Sequence, residues 1–178
     1  VFSLRDGTDL CTSLACHKDK LRELESGYVD AWWYRVSALG KYFADARKRR
    51  LFSEYYLATI KAGYLGSPEE REPWHEQQQY LLRIRDLCAE SGVGFQLVVF
   101  PLLFGLESEY EFFEVEQEIL DFAAASEIPA VSLIDAFLGL ESASLWVSYA
   151  DQHPNERGHR VAAEALYPLV ARTLGAAD

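Results

Sequence analysis

At 178 residues the chain is the size of one domain and long enough to bury a sizeable core. Apolar residues make up 49% of it, a globular composition, and no run reaches membrane-spanning length. A formal charge of −11 argues against a nucleic-acid partner or docking on an anionic membrane, both of which need a basic face.

In chain order, Val1-Phe2-Ser3-Leu4 is a short apolar run that reads as the middle of a strand, with no methionine and no signal-peptide pattern before it. The expectation is therefore a portion of a longer protein, with its true start and any targeting signal out of sight. The run ends in a turn-forming cluster, Arg5-Asp6-Gly7-Thr8-Asp9. The three cysteines imply no disulfide framework: Cys11 and Cys16 lack a second pair for a zinc site, and Cys88 falls in an amphipathic helical pattern. A reduced setting is allowed by this, and the compartment is left open.

From Lys18 to Arg50 the pattern is helical, with Val29, Trp32, Val36, Leu39 and Phe43 on a 3.6-residue period. The basic run Arg47-Lys48-Arg49-Arg50 reads as a helix end, where cations complement the dipole. Leu51 to Tyr64 reads as another helical stretch closing near Gly66. Ser67-Pro68-Glu69-Glu70 then carries a helix-start signature: a serine cap, proline in the first turn, glutamate three after the cap. The helix it announces, or one beginning near Pro73, should run to about Ser91 and stop at Gly92.

Phe95 to Pro101 is nearly continuous in apolar residues, as a strand buried on both faces should be. Residues 107–126 are helical, with Phe112, Val115, Ile119 and Phe122 in phase. Ala130 to Asp135 reads as a second buried strand; a loop and a last helix to about Leu174 follow. Strands alternating with helices imply an α/β domain with a parallel sheet and helices on both faces. Chemistry in such sheets gathers at the carboxyl ends of the strands. That rim would hold Arg5 to Asp9, Pro101 to Phe104, and Asp135 leading on to His153.

The stretch Asp151-Gln152-His153-Pro154-Asn155 sets a carboxylate and an imidazole two residues apart, on a loop before that last helix. An acid–base histidine needs a neighbour to aim its ring and stabilise its charged form, and Asp151 could serve His153 so. The competing reading is that Asp151 caps a turn and His153 is merely exposed. Asn155 reads as the helix cap, with Glu156 and Arg157 in the first turn. Apolar positions 162, 165, 166, 169 and 170 give the helix one packed face, and Pro168 should kink or divide it. His159 with His153 and Asp151 fits no common zinc spacing. There is no glycine-rich phosphate loop, dinucleotide fingerprint or Gly-x-Ser-x-Gly elbow, so neither metal nor cofactor is expected. Trp32, Trp33, Tyr55 and Tyr56 lie in helical patterns and read as packing residues.

Asp151-Gln152-His153-Pro154-Asn155, then Gly158-His159-Arg160 and an alanine-rich helix, resembles the last signature block of the SGNH (GDSL-type) hydrolases. The order of strand ending in Pro101, helix, and strand ending in Asp135 is similar to the second half of that family. The resemblance implies a three-layer, flavodoxin-like α/β/α fold, with residues 1–178 one domain lacking its nucleophile-bearing N-terminal segment. It implies an esterase or acyl-hydrolase acting through a Ser-His-Asp triad on small-molecule or carbohydrate esters. His153 would be the base and Asp151 its orienting acid.

The chain departs from the family pattern at three points. One residue rather than two separates the acid from the histidine. No asparagine follows the first strand, so Arg5 or a backbone N–H near Gly7 would stand in the oxyanion hole. The Gly-Asp-Ser block is absent, which puts the serine upstream of residue 1 and makes the missing segment a partner of this one. A non-catalytic binding or scaffold domain of the same fold, and an acyltransferase with the same triad, are the alternatives.

Overall fold

The computed structural model describes residues 18–19, 22–23, 38–148, 151–173 and 175. They fall into two compact units that divide between Arg71 and Glu72.

In the first unit, residues 18–19 and 22–23 have helical backbone, and a long helix, α1, spans Ala38–Leu65. It runs unbroken through Arg47 to Arg50, so the expected boundary at 50/51 is absent and the basic run is helix interior, not helix end. Favourable propensity explains the continuity: no glycine or proline falls between Gly40 and Gly63. At Gly66, a Cβ would lie 2.5 Å from the Ala62 carbonyl oxygen, so only glycine closes the chain this tightly behind the helix. The serine–glutamate signature forms its reciprocal bonds, Ser67 N–H to Glu70 Oε2 (2.9 Å) and Glu70 N–H to Ser67 Oγ (3.4 Å). It opens a single turn.

The second unit begins with helix α2, Glu72–Glu90, the later of the two starts expected. Gly92 terminates it with φ +65°, while Val93 N–H reaches back to the Cys88 carbonyl at 2.8 Å. Strand β1 (Leu97–Val99), helix α3 (Phe113–Ala125) and strand β2 (Ala130–Ser132) form a β-α-β unit whose strands pair in parallel. Leu97 lies beside Ala130 and Val99 beside Ser132. This is a mixed α/β architecture with a small parallel sheet. The expected burial of β1 on both faces is not met: Val99 is buried but Val98 is 37% exposed.

α3 starts later than expected, with Phe112 as its buried N-cap and Val115 and Ala123 buried on the face toward the core. Trp74 of α2 meets Phe122 edge-on at 5.4 Å and donates its indole N–H to Glu118. Strand β2 stops at Ser132, not Asp135. The Ser132 hydroxyl accepts the Ile134 N–H, a serine turn that bends the chain into a one-turn helix, α4 (Ile134–Phe137), with Asp135 exposed on it.

A buried carboxylate joins the ends of the two strands. Glu116, 5% exposed, accepts the hydroxyl hydrogens of Ser132 and of Tyr110, the latter at 2.6 Å. Tyr110 oxygen in turn accepts the Leu102 N–H at 3.1 Å. The rings of Phe100 and Phe137 meet at a tilt, 5.2 Å between centroids. Around them Leu103, Leu106, Phe112, Leu133, Phe137 and Leu145 make the centre of the core.

A 3-10 turn, Ser142–Leu145, leads into an antiparallel hairpin, β3 (Trp146–Ser148) with β4 (Asp151–Pro154). The last helix, α5 (Glu156–Thr173), begins directly after it. The region expected to be a loop is therefore half strand. Pro168 does not divide α5, which runs through it.

Candidate active site

Asp151 and His153 stand at the ends of three consecutive residues of β4. Strand side chains alternate, so positions two apart share a face. Asp151 and His153 are exposed while Gln152 and Pro154 are half-buried. His153 Nδ1 lies 2.6 Å from Asp151 Oδ1, and the same oxygen accepts the His153 backbone N–H at 3.1 Å. Strand geometry thus makes a spacing with one intervening residue sufficient.

The hairpin register adds a second feature. Trp146 pairs with Pro154 and Ser148 with Asp151, so Val147 alone faces both Gln152 and His153. His153 therefore lies in a β-bulge, a device that re-aims a side chain and twists a strand. Ser148 Oγ accepts the Asp151 N–H at 3.1 Å and holds the acid at the other end.

A carboxylate has only lone pairs to offer, so the bond fixes the ring proton on Nδ1. Nε2 is left with its lone pair outward, on a side chain 87% exposed. The bond from the His153 ring, and then that from its backbone N–H, hold the Asp151 carboxyl below its ordinary range. The pair can therefore offer Nε2 to a proton donor while Asp151 holds the ring through Nδ1.

The start of α5 anchors His153 from the C-terminal side. Asn155 Oδ1 accepts the N–H groups of Arg157 (2.9 Å) and Gly158 (3.1 Å), the expected cap of α5. Buried Gly158 brings that first turn against the hairpin: a Cβ there would sit 3.0 Å from Pro154 Cβ and 3.4 Å from the Leu145 carbonyl oxygen.

The segment after β1 meets the hairpin through Trp146, whose indole N–H donates to the Leu103 carbonyl at 2.8 Å and whose ring lies 5.5 Å from Phe104. Two of the three regions expected on one rim, Pro101 to Phe104 and the His153 segment, are thus joined. Asp135 is not part of the dyad. The candidate oxyanion residues Arg5 and Gly7, and the Val1 to Leu4 strand, lie outside the described residues. His159 lies on α5, exposed, with its backbone N–H on the Asn155 carbonyl.

Sequence reasoning missed the roles of Ser148 and Trp146, which no short motif marks, and assigned Asn155 only its cap. No protein-family model, curated protein or solved structure matches the chain. Among the described residues no helix is long and apolar enough to cross a membrane.

Proposed function

We propose that Asp151 and His153 are the acid and base of a Ser-His-Asp triad in an SGNH-type ester hydrolase. In this reading the chain is the second half of a three-layer, flavodoxin-like domain, and the serine lies outside it. The observation that carries the reading is the 2.6 Å bond from His153 Nδ1 to Asp151 Oδ1, with Nε2 turned outward on a strand bulge. The parallel β1-α3-β2 unit supports the same layout.

The chemistry rests on the proton positions. Nε2 takes the serine proton as the serine oxygen attacks the ester carbonyl, and Asp151 stabilises the resulting imidazolium. The proton then passes to the leaving alcohol. Water attacks the acyl-enzyme with Nε2 again as base. An acyltransferase would differ only in the second acceptor, an alcohol in place of water. The substrate class is a small-molecule or carbohydrate ester.

The 87% exposure of the His153 side chain favours a second reading, a binding or scaffold domain of the same fold in which the dyad serves no nucleophile. A short-chain aryl ester assay on the full reading frame separates them. The hydrolase reading expects turnover that His153→Ala lowers by about 10⁴-fold. Undiminished turnover in that variant overturns the base assignment, and an inert parent protein favours the binding domain.

A further inference from the structure

Asn155 makes more bonds than a helix cap requires. Besides capping α5 through Oδ1, its Nδ2 donates to the Ser144 carbonyl at 3.0 Å and to the Trp146 carbonyl at 2.9 Å. Its backbone N–H donates to the carbonyl between them, that of Leu145, at 2.7 Å. Three consecutive carbonyls, where the 3-10 turn passes into β3, are therefore held by one residue. The amide has two donors and two acceptor lone pairs, and all are used.

We infer that Asn155 is a positioning residue for the Asp151–His153 dyad, acting through the hairpin bulge in which His153 lies. Trp146 and Pro154 form the last paired position of β3 with β4, and Asn155 continues that pairing beyond it. Ser148 Oγ holds the opposite end through the Asp151 N–H. His153 lies between these two anchors, in the bulge, where its exposed ring has Asp151 as its hydrogen-bond partner among the described residues. A bulge sets the local twist of its strand and the aim of the side chain it carries. A shift of β4 as a whole would carry Asp151 and His153 together, so the Asn155 end acts on the bulge between them and Pro154. Releasing it would let the bulge relax, change the twist from Asp151 to His153 and take the imidazole off the carboxylate. The inference deepens the hydrolase reading and rests on it for its catalytic consequence.

The cap and the clamp can be separated by substitution. Asn155→Ser keeps an oxygen able to cap α5 but loses both Nδ2 donors, whereas Asn155→Ala loses cap and clamp together. The readout is the ratio of the Nδ1–H to the Nε2–H tautomer of His153 in the full-length protein, from ¹⁵N shifts of labelled histidine assigned with His153→Ala. We expect Asn155→Ser and Asn155→Ala alike to lower that ratio by about fivefold, the scale of one net hydrogen bond. The aryl ester kcat should fall with it while KM is unchanged. Should Asn155→Ser fail to fold, Asn155→Asp makes the same test, because it also caps and also lacks the donors.

A parent-like tautomer ratio in the capping variant, with loss only in Asn155→Ala, would overturn the inference and leave Asn155 a cap. The tautomer ratio needs no turnover. An inert parent protein would therefore strike the hydrolase reading while this readout still decides the role of Asn155.

Discussion

A carboxylate reaches an imidazole two residues away because both stand on one face of a strand, and Asp151 and His153 do so at 2.6 Å. In a helix the same spacing would point them apart. The residue types and the pairing were legible in the sequence; the strand was not. Asp-Gln-His-Pro has little intrinsic tendency to extend, and β3, its partner, is a short run that only tertiary pairing identifies. The bond also sets a pH dependence. Because the folded Asp151 carboxyl lies below its ordinary value of 3.8, the bond's contribution to stability is fully present above the unfolded value. It is lost as pH falls through the folded one. Carboxyl ¹³C titration should give Asp151 a midpoint below 3.8, and His153→Ala should raise it. An unchanged midpoint in that variant would contradict the assigned cause.

Between elements, two close approaches hold the second unit together, and each predicts a stability change. Gly158 lets the first turn of α5 lie on the hairpin, with a prospective Cβ 3.0 Å from a proline ring carbon that cannot rotate away. Alanine is the better helix former by about 1 kcal/mol, but overpacking costs about 1–3 kcal/mol, so the crowding wins. Gly158→Ala should lower unfolding stability by about 1 kcal/mol in urea titrations. A more stable variant would show that the contact yields freely.

Glu116 links the strand ends through Ser132 and Tyr110, and burial, then its bond to Glu116, push the Tyr110 phenol above its ordinary range. Tyr110→Phe strips a donor from a buried carboxylate and an acceptor from Leu102, at a cost of about 2 kcal/mol. Denaturant midpoints for that variant equal to the parent would contradict the clamp. Neither contact could be read from sequence. Glu116 falls in a helical pattern where a charged residue reads as solvent-facing, and only the fold brings Tyr110 and Ser132 to it. Gly92, by contrast, was legible as a helix stop because its backbone conformation, φ +65°, favours glycine.

For the whole molecule, alternation of apolar strands with helical periods correctly announced a mixed α/β chain with parallel pairing, seen in β1 and β2. It misjudged lengths: β1 and β2 are each three residues, cut short by Pro101 and by the serine turn at Ser132. The basic run was misread for a different reason. A cluster of cations suits a helix C-terminus, yet nothing in the sequence after Arg50 breaks the helix, so α1 continues to Leu65. The central claim is that the dyad serves a serine, and covalent labelling tests it without knowledge of the natural ester. The full-length protein, incubated with a fluorophosphonate, should gain one adduct mapped to a serine, and His153→Ala should gain none over the same time. Labelling at parent rate in His153→Ala, or no serine adduct in the parent, would contradict the claim.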